Sequence, residues 1–194
     1  MSGWDRLKRA LKEFAEKFDR EINEAIALHI ISKSQERIKK GKVKPKTSKF
    51  TLSLRSGGSG RTLIDSGNLL KSLTYKIEGR EVVKIGSNLP YAKVHQFGGK
   101  IKAKKAASLC IPATKEARKK SRFGVEEALK KFTNEGWQIW FTEKAIMGRK
   151  GNKGKPVVLF YRKKQIEIPK RQFVYLTKED EKEIAEMVAS WLKE

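Results

Sequence analysis

Few residues in this sequence could support catalysis or metal binding. Only His29, His95 and Cys110 offer imidazole or thiolate ligands, whereas a structural zinc site needs four such ligands held close together. The residue types of a hydrolytic triad are present in Ser66, His95 and Asp65, but no G-x-S-x-G motif exposes a nucleophilic serine. We therefore predict no catalytic residue, no metal site and no cofactor, and we interpret Cys110 as a small core residue.

Two glycine-rich basic stretches are candidates for phosphate-binding loops. The stretch GRKGNKGKP lacks the G-x-x-x-x-G-K-[ST] spacing, and RSGGSGR does not match G-x-G-x-x-G. We interpret both as loops whose cationic side chains could still neutralise nucleic-acid phosphates. The residues that we predict to lie near DNA are Lys104, Lys105, Arg149, Lys150, Lys153 and Lys155.

The composition is strongly basic. The chain has 45 Lys and Arg residues against 22 Asp and Glu residues, which gives a formal charge of +23 on 194 residues. Small soluble domains usually carry a net charge of about 2 to 8, so the excess predicts an anionic partner, either nucleic acid or an acidic protein. No apolar run approaches the ~20 residues that span a bilayer, and we expect no membrane partner.

Hydrophobic periodicity divides the chain into three parts. Apolar residues at steps of three or four predict an amphipathic helix over 1–40. Gly41 and Pro45 then interrupt the pattern, and the basic stretch 41–62 is typical of a flexible connector. We predict that 63–194 forms the core domain, with basic loops at about 100–122 and 144–156.

The core domain mixes helical and strand patterns. TYKI and VVKIGS around a glycine turn predict a β-hairpin, and Pro90 predicts the start of a short helix that ends at Gly98 and Gly99. Residues 114–134 have a helical pattern, whereas WQIWF and PVVLFYRKKQIEI are typical of strands. Thr177 and Asp180 predict the start of a C-terminal helix. The strand aromatic residues are interpreted as core, with base stacking as the alternative; they are Trp137, Trp140, Phe160 and Tyr161.

Four segments occur in an order that points to a known family. They are DSGNLLKSL from Asp65, VKIGS from Val83, YAKVHQFGG from Tyr91, and IPKRQF from Ile168 ahead of an acidic C-terminal helix. In this order they resemble the phage virion morphogenesis family, which includes Mu-like tail-completion and head-tail joining proteins. The resemblance implies an α+β fold in which an antiparallel sheet packs against long N-terminal and C-terminal helices, with basic loop insertions.

The resemblance also implies a function. It implies a structural, non-enzymatic protein of a tailed phage or prophage, assembled in the host cytoplasm and located at the tail end or the head-tail junction. The implied partners are further copies in a ring, of six subunits if it caps a tail tube, together with tail-tube or connector proteins and DNA in transit. The implied interface or loop-geometry residues are Tyr91, His95, Gln96, Phe97, Gly98, Gly99, Pro169 and Phe173.

Two other function classes remain open from the residues alone. The basic stretches favour a sequence-nonspecific nucleic-acid-binding module as the main alternative. An enzyme such as a nuclease is the weaker alternative, because acidic residues that could hold a metal ion are sparse outside the terminal helices.

Overall fold

The longest element is the N-terminal helix α1, which spans Gly3–Lys39. Ala27, Ile31 and Ile38 lie on one side of it and are buried, as an amphipathic helix on a core requires. A long N-terminal helix is present, as predicted; residues 1 and 2 of the predicted range 1–40 lie outside the described residues. The computed structural model describes residues 3–55, 60–79, 82–104, 106–191 and 193.

Short helices and strands follow α1 along the chain. The predicted hairpin, the helix beginning at Pro90 and the C-terminal helix are all confirmed. The bounds are α2 (Lys49–Ser53), α3 (Asn68–Lys71), β1 (Leu73–Glu78), β2 (Val82–Ser87), α4 (Pro90–Phe97), β3 (Gly99–Lys102), β4 (Leu109–Pro112), α5 (Lys115–Lys120), a 3-10 turn (Ser121–Phe123), α6 (Val125–Asn134), β5 (Trp137–Phe141), β6 (Ala145–Lys150), β7 (Val157–Lys163), β8 (Gln165–Ile168) and α7 (Lys178–Trp191).

These elements form two compact units, each built from separated stretches of chain. The helical unit comprises Met1–Lys44, Arg61–Phe97 and Arg171–Glu194, and the sheet unit comprises Pro45–Gly60 and Gly98–Lys170. The sheet unit contains 23 Lys and Arg residues but only 6 Asp and Glu residues, a charge of +17, whereas the helical unit carries +6. The excess positive charge is therefore concentrated in the sheet unit.

In the helical unit, the β1–β2 hairpin and α7 pack against α1. The two strands pair antiparallel, from Leu73 opposite Ser87 to Glu78 opposite Val82. The hairpin, α1, α3 and α4 bury a shared apolar core together with Phe173, as expected for helices and strands that each have one apolar face. Its buried members are Ile31, Ile38, Val43, Leu69, Leu73, Ala92 and Phe173.

In the sheet unit, four antiparallel strands lie in the order β4-β7-β6-β5, with α5 against β4 and α6 against β5. The pairing of β6 with β7 has a bulge next to Ile146. A bulge lets successive residues of one strand face the same side of the sheet. Both Leu159 and Phe160 are therefore buried. Trp137 packs edge-on against Phe132, with ring centroids 5.2 Å apart. The core interpretation of Trp137 and Phe160 is confirmed.

The remaining strands form a separate two-stranded ribbon. β3 pairs antiparallel with β8, from Gly99 opposite Ile168 to Lys102 opposite Gln165. The α+β class is confirmed, but the antiparallel strands belong to three sheets instead of the one sheet expected. The physical reason is a break at Lys164, which divides the run 156–168 into β7 and β8.

The stretches predicted as basic loops contain regular structure. β4, α5 and most of β3 lie within 100–122, and β6 lies within 144–156. Lys and Arg do not break a strand or a helix, since their charged ends reach solvent from either element. The segment predicted as a flexible connector, 41–62, includes α2, and Val43 and Leu54 in it are buried.

Helix α7 begins with the predicted cap, and a buried ion pair joins this cap to α1. The Asp180 backbone N–H donates to Thr177 Oγ1 over 3.1 Å, and the Thr177 N–H donates to Asp180 Oδ2 over 2.8 Å. Arg37 forms an ion pair with the Asp180 carboxylate, and its Nη1 donates to the Tyr175 carbonyl over 2.7 Å. Burial alone would raise the pKa of Asp180, but the Thr177 hydrogen bonds and the Arg37 charge outweigh it, so the pKa is lowered.

We expect Asp180→Asn to lower the free energy of unfolding by about 3 kcal/mol at pH 7, because it leaves a buried guanidinium without its counter-charge. A carboxylate whose pKa is lowered by folding stabilises the fold above its unfolded pKa of about 3.9 and loses that contribution as pH falls through the folded pKa. Urea denaturation from pH 7 to pH 3 should therefore show the wild type and the variant converging in acid. A stability difference that is independent of pH would contradict this assignment.

Candidate functional site

The segment YAKVHQFGG forms helix α4 and the reversal after it. Pro90 occupies the first position, where its missing N–H costs no hydrogen bond. The helix ends at Phe97, and Gly98 follows with a φ of +74°, a left-handed backbone that favours glycine. The sequence therefore predicts both ends of α4 correctly.

The Gln96 side chain binds the backbone of a distant segment. Its Nε2 donates to the Val174 carbonyl over 2.7 Å, and its Oε1 accepts from the N–H groups of Phe173 and Val174 over 3.0 and 3.2 Å. An amide can do this because it carries a donor and an acceptor side by side. Gln96 thus fixes loop geometry, and it holds Phe173 where that ring is 2 % exposed in the core.

His95 contributes to the same junction mainly through its backbone. Its carbonyl accepts from the Arg171 N–H over 2.7 Å. The half-buried ring lies edge-on to Tyr91, with centroids 6.1 Å apart. Burial lowers the pKa of His95, and the Arg171 charge lowers that pKa further, so neutral imidazole is favoured at neutral pH.

Gly98 lies against the backbone of Lys170, within the sheet unit. A Cβ added to Gly98 would be 2.9 Å from the Lys170 nitrogen, closer than side chains tolerate. Pro169 precedes this contact and is exposed, and Gly99 begins β3. HQFGG and IPKRQF, about 70 residues apart in sequence, are therefore brought together by direct backbone contacts.

Two of the predicted interface residues point away from these contacts. Tyr91 is 40 % exposed and Phe97 is 65 % exposed. Phe97 borders a cavity of about 480 Å³, which we name the α4 groove; its apolar lining includes Leu73, Ile85, Ala92, Phe97, Phe173 and Val174. The predicted interface or loop-geometry residues therefore form two groups. The contacts of one group fix the path of the chain, and the side chains of the other group remain exposed.

The residues predicted to lie near DNA occupy several places in the sheet unit. Lys104 follows β3 and is exposed, whereas Lys105 lies outside the described residues. Arg149 is half-buried on β6 and donates to Gln138 Oε1 over 2.6 Å. Lys150 ends β6, and Lys153 and Lys155 are exposed in the following loop.

Sequence reasoning missed Lys100 and Lys102, which are exposed on β3. Their signal is the alternation of lysine with apolar residues in KIKAK, a stretch that the sequence predicts as part of a basic loop. Within the described ranges, no group of three or more His, Cys, Asp or Glu side chains could hold a metal ion. No helix in the described part of the chain is both long and apolar enough to cross a bilayer.

We expect Gln96→Leu to lower the free energy of unfolding by about 2 to 4 kcal/mol, because each buried polar group left unpaired costs about 1 to 3 kcal/mol. Gln138→Leu is the matched control, since the Gln138 amide also bonds to side chains but is exposed. Urea denaturation, with hydrogen exchange of the Phe173 and Val174 amides, measures both effects. Equal losses of unfolding free energy in the two variants would show that the hydrogen bonds of Gln96 stabilise the fold no more than the exposed bonds of Gln138 do.

Gly98→Ala should destabilise the protein more than Gly136→Ala, by about 1 kcal/mol or more. Both glycines have a similar positive φ, +74° and +80°, but a Cβ on Gly136 would meet nothing within 4 Å. The backbone strain of about 1 to 2 kcal/mol is therefore common to both variants, and the difference measures the contact with Lys170. Thermal unfolding of the two variants side by side tests this, and indistinguishable midpoints would argue against a tight contact.

Comparison with known proteins agrees with the resemblance seen in the sequence. The chain is 43 % identical over 54 residues to a protein of Haemophilus influenzae named Mu-like prophage FluMu G protein 2. The match spans 28 % of this chain and 37 % of that relative. No solved structure matches the chain.

A family match covers a larger part of the chain. Residues 3–125, from α1 to the first residue of α6, match the phage virion morphogenesis family. The matched range includes α4 and the whole HQFGG segment, whereas IPKRQF lies beyond it. The chain therefore belongs to the phage virion morphogenesis family.

Proposed function

We propose that this protein is a non-enzymatic structural component of a tailed phage or prophage, acting in tail completion or head-tail joining. The observation that carries the proposal is the family match over residues 3–125. The similarity to a Mu-like prophage protein over 54 residues supports it. Its proposed location is the virion, at the tail end or at the head-tail junction.

The use of polar side chains at α4 supports a structural role. The Gln96 amide makes its bonds to backbone groups of Phe173 and Val174. The His95 carbonyl accepts a hydrogen bond from the Arg171 N–H, so this contact is made by the backbone and not by the imidazole. These residues stabilise a particular chain path, which is what a rigid assembly component requires.

The proposed partner at the α4 groove is a second copy of the chain. A ring of identical subunits needs a heterologous interface, in which two different patches meet. Phe97 is an exposed aromatic residue that lines the α4 groove, and Tyr91 is a second exposed aromatic residue on α4. Aromatic residues are enriched in protein–protein interfaces. Tail-tube and connector proteins are the further partners that we propose.

We expect the wild-type protein to form a closed oligomer near six subunits, and Phe97→Asp to lower its mass, because a charge in an apolar contact is costly to bury. Phe141→Asp is the matched control, since Phe141 is 63 % exposed but lies at the end of β5, in the sheet unit. Light scattering of nuclease-treated protein at about 0.5 M salt, where exposed charges are screened within a few ångströms, measures the mass.

Two outcomes would contradict the proposed interface. A loss of mass in both variants would show that any added charge disturbs assembly, and an unchanged mass for Phe97→Asp would show that the α4 groove is not the contact. Virion yield of a phage carrying Phe97→Asp provides the functional readout, and normal yield would count against tail completion or joining through this surface.

A nucleic-acid-binding module is the second candidate function. The observation that favours it is the +17 charge of the sheet unit, since contacts to phosphates release counterions and provide nonspecific affinity. The predicted contact residues include Lys104, Lys150, Lys153 and Lys155. A monomer at 0.5 M salt that binds a short duplex below micromolar concentration at physiological salt would favour this function over a ring.

A further inference from the structure

The β3–β8 ribbon has two chemically different faces. Side chains of directly opposed residues in an antiparallel pair lie on the same face. Lys100 is opposite Glu167 and Lys102 is opposite Gln165, whereas Ile101 is opposite Ile166. One face is therefore polar and mainly cationic, and the other is apolar.

The cationic face is open to solvent. All four residues of β3 are exposed, and Lys104 continues the alternation beyond the strand and is also exposed. Within the described ranges, neither β3 nor β8 pairs with a third strand. The lysine side chains can therefore meet a large ligand without any rearrangement of the sheet unit.

Positive charge is concentrated in the ribbon and the residues that flank it. The stretches 98–105 and 163–170 contain seven lysines and one acidic residue, Glu167, which gives +6 on sixteen residues. Alternate strand residues lie about 6.6 Å apart, so Lys100, Lys102 and Lys104 form a regular cationic row. Such a row suits a ligand with a regular row of anionic groups better than it suits a single small anion.

The base of the ribbon is held in a fixed conformation. Gly98 begins the ribbon and lies against the backbone of Lys170 at its other end. The next hydrogen bond beyond β3 joins the Ala103 N–H to the Lys164 carbonyl over 3.3 Å. The lysines therefore project from a paired, anchored ribbon and not from a mobile loop.

Duplex DNA fits these properties better than a second copy of the chain does. Lysines on an edge strand disfavour pairing with another strand, so the ribbon is a poor surface for adding a strand from a neighbour. B-DNA presents about one negative charge per 1.7 Å of helix axis, and its major groove, about 12 Å wide, admits a two-stranded ribbon.

We propose that the β3–β8 ribbon binds the phosphates of duplex DNA, without sequence specificity, through Lys100, Lys102 and Lys104. The inference rests on the proposed contact with DNA, and it names the surface that makes that contact. It does not rest on ring assembly, because binding to a short duplex needs only the sheet unit of the full chain. DNA binding and ring assembly can therefore be tested independently, and the failure of one does not imply the failure of the other.

The test compares two triple variants of the full-length protein. Lys100→Gln/Lys102→Gln/Lys104→Gln removes three charges from the ribbon, and Lys178→Gln/Lys182→Gln/Lys193→Gln removes three charges from α7 and the residues that follow it. Binding to a fluorescent 20-base-pair duplex of mixed sequence is measured between 50 and 200 mM salt. Each phosphate contact contributes about 0.9 to the slope of log affinity against log salt.

For the ribbon variant we expect this slope to be smaller by about 2.7, so that a fourfold rise in salt weakens the wild type about 40 times more than the variant. The α7 variant should keep the wild-type slope. A third variant, with arginine at the same three ribbon positions, should also keep it, which separates loss of charge from loss of fold.

Several results would overturn the proposal. They are equal loss of slope in the glutamine variants of the ribbon and of α7, no duplex binding by the wild type, and an unchanged slope in the ribbon glutamine variant. Polyglutamate is the competitor that identifies the ligand class. If it binds as tightly as the duplex and shows the same dependence on the ribbon lysines, the surface recognises an acidic protein instead.

Discussion

The helical unit depends on a junction between α4 and the segment that leads to α7. That segment has no regular structure of its own between Pro169 and Thr177, so its backbone groups need partners outside a helix or sheet. Gln96 supplies partners to Phe173 and Val174, and the His95 carbonyl supplies one to Arg171. With the segment held in this way, the Phe173 ring enters the core, and α7 is placed beside α1.

A second junction makes the position of α7 more specific. The Asp180 carboxylate belongs to the cap of α7 and also pairs with Arg37 of α1. A buried charge pair contributes little net stability compared with a well-packed apolar contact, but it has one correct geometry. The apolar face of α7 could slide along α1, whereas the cap and the ion pair define its register.

The sequence predicts local elements well where a local signal exists. The apolar stripe of α1, Pro90 and Gly98 around α4, and Thr177 with Asp180 at α7 each involve residues a few positions apart. The junctions are different, because Gln96 and Phe173 are 77 residues apart and Arg37 and Asp180 are 143 apart. No periodicity or spacing rule connects such residues, and so the bonds to Gln96 could not be predicted.

The division of strands among three sheets could not be predicted for a related reason. The run from Pro156 to Ile168 contains two stretches of high β-propensity separated by Arg162, Lys163 and Lys164. This basic interruption does not by itself indicate that the second stretch pairs with a different strand. Strand partners are decided by packing over long distances in the chain. The lysines at 100 and 102 were missed in consequence, because only pairing with β8 makes that stretch a strand.

The distribution of charge differs between the two units. The helical unit, at +6, contains the α4 groove with the exposed Phe97 at its border, and the sheet unit carries +17. An apolar contact between subunits is little affected by salt, whereas attraction to DNA weakens steeply as salt rises. The two proposed contacts should therefore respond differently to salt, with the subunit contact at the α4 groove persisting under ionic conditions that release DNA from the sheet unit.

The discontinuous helical unit also has a consequence for synthesis on the ribosome. Residues 98–170 are contiguous and make up most of the sheet unit, so they can fold soon after they emerge. The core around Ile31 and Leu73 stays incomplete until Phe173 has been translated, and α7 can pack against α1 only later. The α4 groove, which Phe173 and Val174 help to line, therefore takes its final form only after these two residues have been synthesised.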